Sequence, residues 1–216
     1  MDILFDLDGT MIDPAEGIIG SAQYALGKLA LPVPAAQTLH WMIGPALRTT
    51  FARLGLAPDQ IPRAVELYRE NYRAGAMYDV KVYDGIADCL KGLVAAKHRL
   101  IVATAKPHVF AKPILERVGL ARYFQAVHGA ELDGRNDDKA DLIAHIIATE
   151  KVAPANAIMI GDRRYDAIGA RRNGISAIGV TWGYGSADEL REAEVQALCD
   201  HPGSLQAIIE KVSRGS

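Results

Sequence analysis

Ile3-Leu4-Phe5-Asp6-Leu7-Asp8-Gly9-Thr10 is the stretch on which the reading of the fold turns. Three apolar residues bounded by turn chemistry read as a short strand buried in a parallel sheet. Two carboxylates follow, one residue apart, and Gly9 behind them permits a sharp bend. Residues two apart in an extended segment point the same way, so Asp6 and Asp8 start toward one side of the strand end. The bend at Gly9 then carries Asp8 round toward the same place. Ligands of open α/β sheets sit at the carboxyl ends of strands. Two acids crowded there repel each other unless a cation or a proton holds them together. The plainer alternative makes Asp8-Gly9 a turn and Asp6 a strand-end cap, and the rest of the chain has to decide.

Outward from that stretch, 216 residues suffice for one full-sized domain, or for a core domain with a small insert. Half the residues are hydrophobic and 23% charged, the composition of an ordinary globular protein. A formal net charge of -2 gives no electrostatic footprint for nucleic acid or for an anionic membrane surface. Cys89 and Cys199 lie far apart with no C-x-x-C spacing, which argues against a disulfide framework or a zinc site and for two buried small hydrophobes. No apolar run approaches the ~20 residues that span a bilayer. The first strand begins almost at Met1, which leaves no room for a targeting peptide. The expectation is a cytoplasmic protein, monomer or homodimer, with no nucleic-acid or membrane partner.

Residues from about Ala15 to Ala76 read as helix almost throughout, interrupted at Leu31-Pro32-Val33-Pro34 and resuming after Gly44-Pro45. Ile18, Ile19, Ala22, Leu26 and Leu29 form one stripe, Leu47, Phe51 and Leu54 a second, and Ile61, Val65, Tyr68 and Tyr72 a third. From Val82 onward helices alternate with apolar runs, which implies right-handed crossovers and a parallel sheet. Leu100 to Ala103, Ala126 to His128, Ala157 to Ile160 and Ile175 to Val180 are the strands, with a weak one at Ala197 to Cys199. Helices are expected over Asp84 to Lys97, Pro107 to Val118, Asp137 to Lys151, Tyr165 to Asn173, Glu189 to Ala193 and Ser204 to Val212.

The strand ends carry polar residues of a particular kind. Thr104 and the amide of Ala105 follow the strand at Leu100 and precede a helix, an arrangement that suits either an anion or a helix N-cap. Gly161-Asp162-x-x-x-Asp166 follows the clearest strand; two carboxylates four apart at a helix start share one face and offer the hard oxygens that magnesium prefers. Lys139 opens another helix, where a cation opposes the dipole, so its placement suggests a task.

Together, Asp6-x-Asp8-Gly9-Thr10, Thr104, Lys139 and Gly161-Asp162-x-x-x-Asp166 resemble the haloacid dehalogenase superfamily over essentially the whole chain. Ile43-Gly44-Pro45, Thr104-Ala105-Lys106-Pro107, Asp133-Gly134, Lys139-Ala140 and Trp182-Gly183-Tyr184-Gly185 are similar to its phosphoglycolate-phosphatase-like branch. Ala105 stands where that branch usually carries Ser or Asn, and Ala46 where it has a second proline. The resemblance implies an α/β fold: a Rossmann-like parallel sheet with helices on both faces, formed by residues 1–13 and 81–216, and an all-helical cap over 14–80. It further implies a phosphatase acting on a small phosphomonoester, with Asp6 as nucleophile and Asp8 as general acid and base. Magnesium would be held by Asp6, Asp162 and the backbone carbonyl of Asp8, and by Asp166 directly or through water. Thr104, Ala105 and Lys139 would meet the phosphoryl oxygens.

Asp8 argues against a dehalogenase, which lacks that second acid. A sugar-phosphate mutase keeps every one of these residues and is the enzymatic alternative; a non-catalytic phosphate-binding regulator is the alternative of another class. A phosphonate hydrolase would want a Schiff-base lysine in the cap, where Lys28 is the sole lysine between residues 14 and 80. Arg48, beside Gly44-Pro45-Ala46-Leu47, either meets a second anionic group of the substrate or lies on a helix surface.

Overall fold

The computed structural model describes residues 1–214. Its chain divides into two compact units, one of Met1–Asp13 with Val82 onward and one of Pro14–Lys81.

In the first unit, β1 (Asp2–Phe5) leads through the turn at Gly9 to the short β2 (Ile12–Asp13), where the chain leaves; it returns at the short β3 (Lys81–Val82). Then follow α4 (Ile86–Ala95), β4 (Arg99–Pro107), α5 (His108–Arg117), β5 (Ala126–Ala130), α6 (Lys139–Glu150), β6 (Ala157–Gly161), α7 (Arg164–Arg172), β7 (Ser176–Val180), α8 (Ala187–Glu192), β8 (Ala197–Cys199) and α9 (Leu205–Arg214). Six strands form one sheet in the order β5-β4-β1-β6-β7-β8, every pair parallel. The central β1 pairs with β4 on one side and β6 on the other, Phe5 lying opposite Val102 and Ile160. Chain order runs outward through β4 and β5, then crosses to β6, β7 and β8. The switch point therefore falls at β1, and the crevice beyond the carboxyl ends of β1, β4 and β6 is the place such sheets bind ligands.

Buried on both faces, β1 and β6 read as unbroken apolar runs because helices cover each side. Leu4, Ile101, Ala103, Met159 and Ala177 pack against Leu142, Ile143 and Ile146 of α6 and Ala167 and Ala170 of α7. Register between β1 and β4 is pinned by Arg99, whose Nε and Nη2 donate to the two oxygens of Asp2 at 2.6 and 3.0 Å. Asp2 and Arg99 are also backbone partners.

β4 runs past the expected end at Ala103. Its pairing with β5 shifts between Thr104 and Pro107, a bulge that inserts Ala105 and Lys106 into the edge of the ladder. The following helix accordingly starts at His108, not Pro107. β5 extends through Gly129 to Ala130 for the same reason, to stay paired with the lengthened strand.

The second unit holds α1 (Ala15–Lys28), α2 (Leu47–Arg53) and α3 (Ile61–Ala74). Ala64, Val65, Leu67, Tyr68 and Tyr72 of α3 are buried; Phe51 meets Tyr68 edge-on with ring centroids 6.4 Å apart, and Tyr68 stacks on Tyr72 at 5.4 Å. Asn71 Nδ2 donates to Ser21 Oγ (3.1 Å), tying α3 to α1. The interruption expected at Leu31-Pro32-Val33-Pro34 is wider in the structure, running from Leu29 to Ala46. There two single 3-10 turns, Ala36–Thr38 and His40–Met42, replace α-helix. Pro32, Pro34 and Pro45 lack the amide that a helix interior needs.

Candidate active site

Asp6 directly follows β1 and extends its ladder, its N–H donating to Ile160 O at 2.9 Å. The turn behind it closes through Met11 N to Leu7 O (2.9 Å) and Gly9 N to Ile12 O (2.8 Å). Gly9 has φ +82°, and a Cβ there would lie 2.2 Å from Asp162 Oδ2, so both backbone and space demand glycine. Thr10, fully buried in the same turn, donates from Oγ1 to Asp162 Oδ1 at 3.3 Å.

Asp162 and Asp166 converge, though not along one helix face as their spacing suggested. Asp162 precedes the cap of α7 and projects from the end of β6; Asp166 belongs to the first helical turn. Asp166 Oδ2 accepts the Arg163 N–H at 3.2 Å, which satisfies one of the open donors of the helix start. Its other oxygen lies 2.7 Å from Lys139 Nζ. Lys139 is the first residue of α6, and its buried ammonium also donates to Asp6 Oδ1 (3.0 Å) and Ala103 O (2.8 Å). The dipole it opposes is answered by the N-cap Asp138, which accepts from Ala140 N (2.7 Å) and Asp141 N (3.4 Å).

One carboxylate oxygen from each of Asp6, Asp162 and Asp166 lies within 4.8 Å of the other two, all three residues being buried. The Lys139 ammonium answers one of three charges. The remainder matches what a divalent cation held by hard oxygen ligands would neutralise, so the donor set fits magnesium. The electrostatics agree. Burial, joined by the charges of Asp6 and Asp166, pushes the Asp162 carboxyl well above the usual carboxylate range. Burial also raises Asp166, with Lys139 pulling the other way. Lys139 loses solvation too, yet Asp166 and Asp6 hold its proton well above the ordinary lysine range.

Asp8 turns to a different partner. Its Oδ2 lies 2.9 Å from Lys106 Nζ, while its buried Oδ1 has no hydrogen-bond partner among the described residues. Burial raises the Asp8 carboxyl and the Lys106 ammonium opposes that rise.

A family model described as haloacid dehalogenase-like hydrolase matches residues 3–180. The chain belongs to that family. A 5'-nucleotidase of Pseudomonas aeruginosa is 42% identical over 210 residues, which cover 97% of this chain and 95% of that protein. The protein named tyrosine-protein kinase PtkA of Mycobacterium tuberculosis is 37% identical over 186 residues, 86% of this chain but 64% of that longer protein. A phosphoglycolate phosphatase of Agrobacterium fabrum is 30% identical over 224 residues, 99% of this chain and 94% of that one. Among solved structures, a predicted phosphatase from Clostridium acetobutylicum superposes with a TM-score of 0.92 at 40% identity, covering 97% of each chain. This haloacid dehalogenase-like protein is a hydrolase of the phosphatase kind.

Within this family member, the structure gathers Asp6, Lys139, Asp162 and Asp166, and brings Asp8 to Lys106. Thr104 is not a helix cap: it stays in β4, buried, and its Oγ1 accepts the Lys106 N–H across the bulge at 3.1 Å. Ala105 is half-buried beside it. Arg48 is exposed in the first turn of α2, in the other unit. Lys106 was not singled out from sequence. It reads there as an ordinary lysine before a proline, and the signal that it turns inward is the bulge, which an apolar run cannot announce. Among the described residues no helix is long and apolar enough to cross a membrane.

Proposed function

We propose that this hydrolase is a magnesium-dependent phosphatase that cleaves a small phosphomonoester through an aspartyl-phosphate on Asp6. The observation that carries the reading is the buried Asp6-Asp162-Asp166 cluster with Lys139 inserted into it. Bound there by Asp6, Asp162, Asp166 and the Asp8 carbonyl, magnesium would neutralise the carboxylate and the phosphate dianion that must approach each other.

The chain's own residues supply the rest. A carboxylate oxygen of Asp6 forms a bond to phosphorus as the bond to the leaving oxygen breaks. Asp8 gives its proton to that oxygen; then, as a carboxylate, it takes a proton from the water that attacks the phospho-enzyme and releases inorganic phosphate from Asp6. Its raised proton affinity and its contact with Lys106 suit a group that must hold and return one proton. Lys139, the Thr104 hydroxyl and the Ala105 N–H stabilise charge on the phosphoryl oxygens in flight. Arg48 is the proposed contact for a second anionic group on the substrate. Lys28 is exposed and lies 5.3 Å from the Tyr24 ring centroid, which gives no support to Schiff-base phosphonate chemistry.

The relatives' names make nucleoside 5'-monophosphates and 2-phosphoglycolate the first substrates to try. Phosphate release from both, and from an uncharged aryl phosphate, is measured as kcat/KM with and without EDTA. Turnover that disappears in EDTA and returns with magnesium supports the reading; undiminished turnover in EDTA sinks it. Arg48→Ala is expected to lower kcat/KM about ten- to a hundredfold, and only for substrates with the second anionic group, the loss of one charged hydrogen bond. The likeness to a protein named as a kinase favours one other reading, in which a hydroxyl group rather than water captures the phosphoryl group. Phospho-product without inorganic phosphate, formed when an alcohol acceptor is added, would establish it.

A further inference from the structure

Sequence reading set Trp182-Gly183-Tyr184-Gly185 aside as a mark of family branch, and the proposed mechanism uses none of it. The structure threads this segment, which follows β7, directly behind Asp162. The Tyr184 N–H donates to Asp162 Oδ2 at 2.8 Å. Since Thr10 holds the other oxygen, the fully buried Asp162 carboxylate is gripped from two sides, by the turn that follows Asp6 and by this loop.

The loop is itself fixed at both flanks. Trp182 Nε1 donates to Thr10 O at 2.9 Å, joining the loop to the Asp6–Thr10 turn. The Tyr184 hydroxyl donates to Asp13 Oδ1 and also shares a hydrogen bond with Tyr83. The two glycines set how closely the loop can approach. A Cβ on Gly183 would lie 2.3 Å from Gly9 O and 2.4 Å from Asp162 Oδ2, and one on Gly185 would lie 1.8 Å from Asp162 O. Side chains are excluded at 183 and 185 and used as latches at 182 and 184, an alternation that suits a clamp.

We infer that the 181–185 loop is a positioning clamp that presets the Asp162 carboxylate for the metal, with Trp182 and Tyr184 as its two latches. The inference rests on the metal reading above. Neither latch touches the reacting atoms; each acts through Asp162. Buried carboxylates repel one another, and without a second donor Asp162 would turn from Asp6 and Asp166. Outer partners of metal ligands typically contribute about ten- to a hundredfold in metal affinity.

The test is magnesium binding by the full-length chain, followed by titration calorimetry, beside the melting temperature of the metal-free protein. Tyr184→Phe keeps the ring, Trp182→Phe keeps an aromatic ring of smaller volume, and each removes one latch. Each is expected to raise the magnesium Kd about tenfold, at the lower end of that range, because the Tyr184 N–H remains. Turnover lost at limiting magnesium should return as magnesium is raised. An unchanged Kd, even with a lowered melting temperature, would make the loop merely structural and overturn the inference. If Tyr184→Phe does not fold, Trp182→Phe decides alone, because its bond to Thr10 is independent of Asp13. A wild-type chain that binds no magnesium would instead overturn the metal reading, a result distinct from equal binding by wild type and variants.

Discussion

At the scale of single residues, the buried site contains two kinds of charged contact, and they should respond differently to substitution. Asp6→Asn keeps shape but removes the nucleophilic oxygen, so turnover should vanish while the far-UV spectrum and cooperative unfolding remain. Asp8→Asn should slow the reaction by about 10²–10⁴, the usual weight of acid–base catalysis. With a good leaving group the first step needs little protonation, so phospho-enzyme should accumulate in that variant; wild-type rates would remove Asp8 from the role. Lys106→Met leaves a buried carboxylate without its cation and should cost about 1–3 kcal/mol of stability in urea unfolding. Adding Asp8→Asn should recover part of that loss, since no unpaired charge is then left, and strict additivity would show that the 2.9 Å contact carries no coupling. Asp6, Asp8, Lys139, Asp162 and Asp166 were legible in the sequence because each stands at a strand end or a helix start and their order and spacing together match one family pattern, although each acid alone also had a plainer reading as a cap or turn residue. Lys106, Asp13, Trp182 and Tyr184 were not. Their partners are more than 90 residues away along the chain, as for Lys106 with Asp8, or sit in loops whose paths no periodicity encodes.

Among the elements, two helix starts carry the site, and each has a test. Asp138→Ala removes the cap of α6 and should cost about 1 kcal/mol. It should also weaken turnover, because Lys139 is the next residue; a stability loss with full activity would separate cap from site. The start of α7 is held from α8: Glu189 Oε1 accepts from Arg163 Nε (3.0 Å) and Arg164 N (2.9 Å). Burial disfavours that carboxylate, but the Arg164 amide and the Arg163 guanidinium outweigh burial and hold its proton affinity below the ordinary glutamate value of 4.5. The folded state therefore favours the ionised form. The contribution is complete above the ordinary range and fades as pH falls through it. Glu189→Gln should cost about 1 kcal/mol at pH 7, and the gap from wild type in urea unfolding should narrow as pH falls below the ordinary glutamate range. A gap independent of pH would show that charge has no part in it. The strands at Leu100, Ala157 and Ile175 were readable as apolar runs, since a sheet covered on both faces admits little else. What the runs could not show was the bulge beyond Thr104, whose residues are polar and whose extension depends on pairing with β5. Pro32 and Pro34 announced a break after Leu29, but no spacing revealed the two 3-10 turns that fill it before Ala46.

For the molecule as a whole, a cation that binds the folded chain and not the unfolded one adds its binding energy to stability. Magnesium at 100 times its Kd should add about 2.7 kcal/mol and shift the melting temperature upward, and EDTA should reverse the shift. No shift at any magnesium concentration would speak against a folded-state site. The position of β1 has a consequence of another sort. It is the centre of the sheet, yet its neighbours begin at Arg99 and Ala157. A ribosome adding ~5–20 residues per second finishes β1 on the order of ten seconds before it finishes β6. Until β4 is made the apolar Ile3-Leu4-Phe5 has no strand to join, and until β6 is made one of its two sides stays unpaired, while the residues of Pro14–Lys81, compact in their own right, are already complete. Contacts this distant along the chain also make for slow closure in free solution, because loop entropy must be lost before the pairing rewards it. Synthesis therefore leaves the strand that carries the proposed nucleophile waiting for its place, and a nascent chain halted before Ala157 should be a better chaperone client than one halted after Val180.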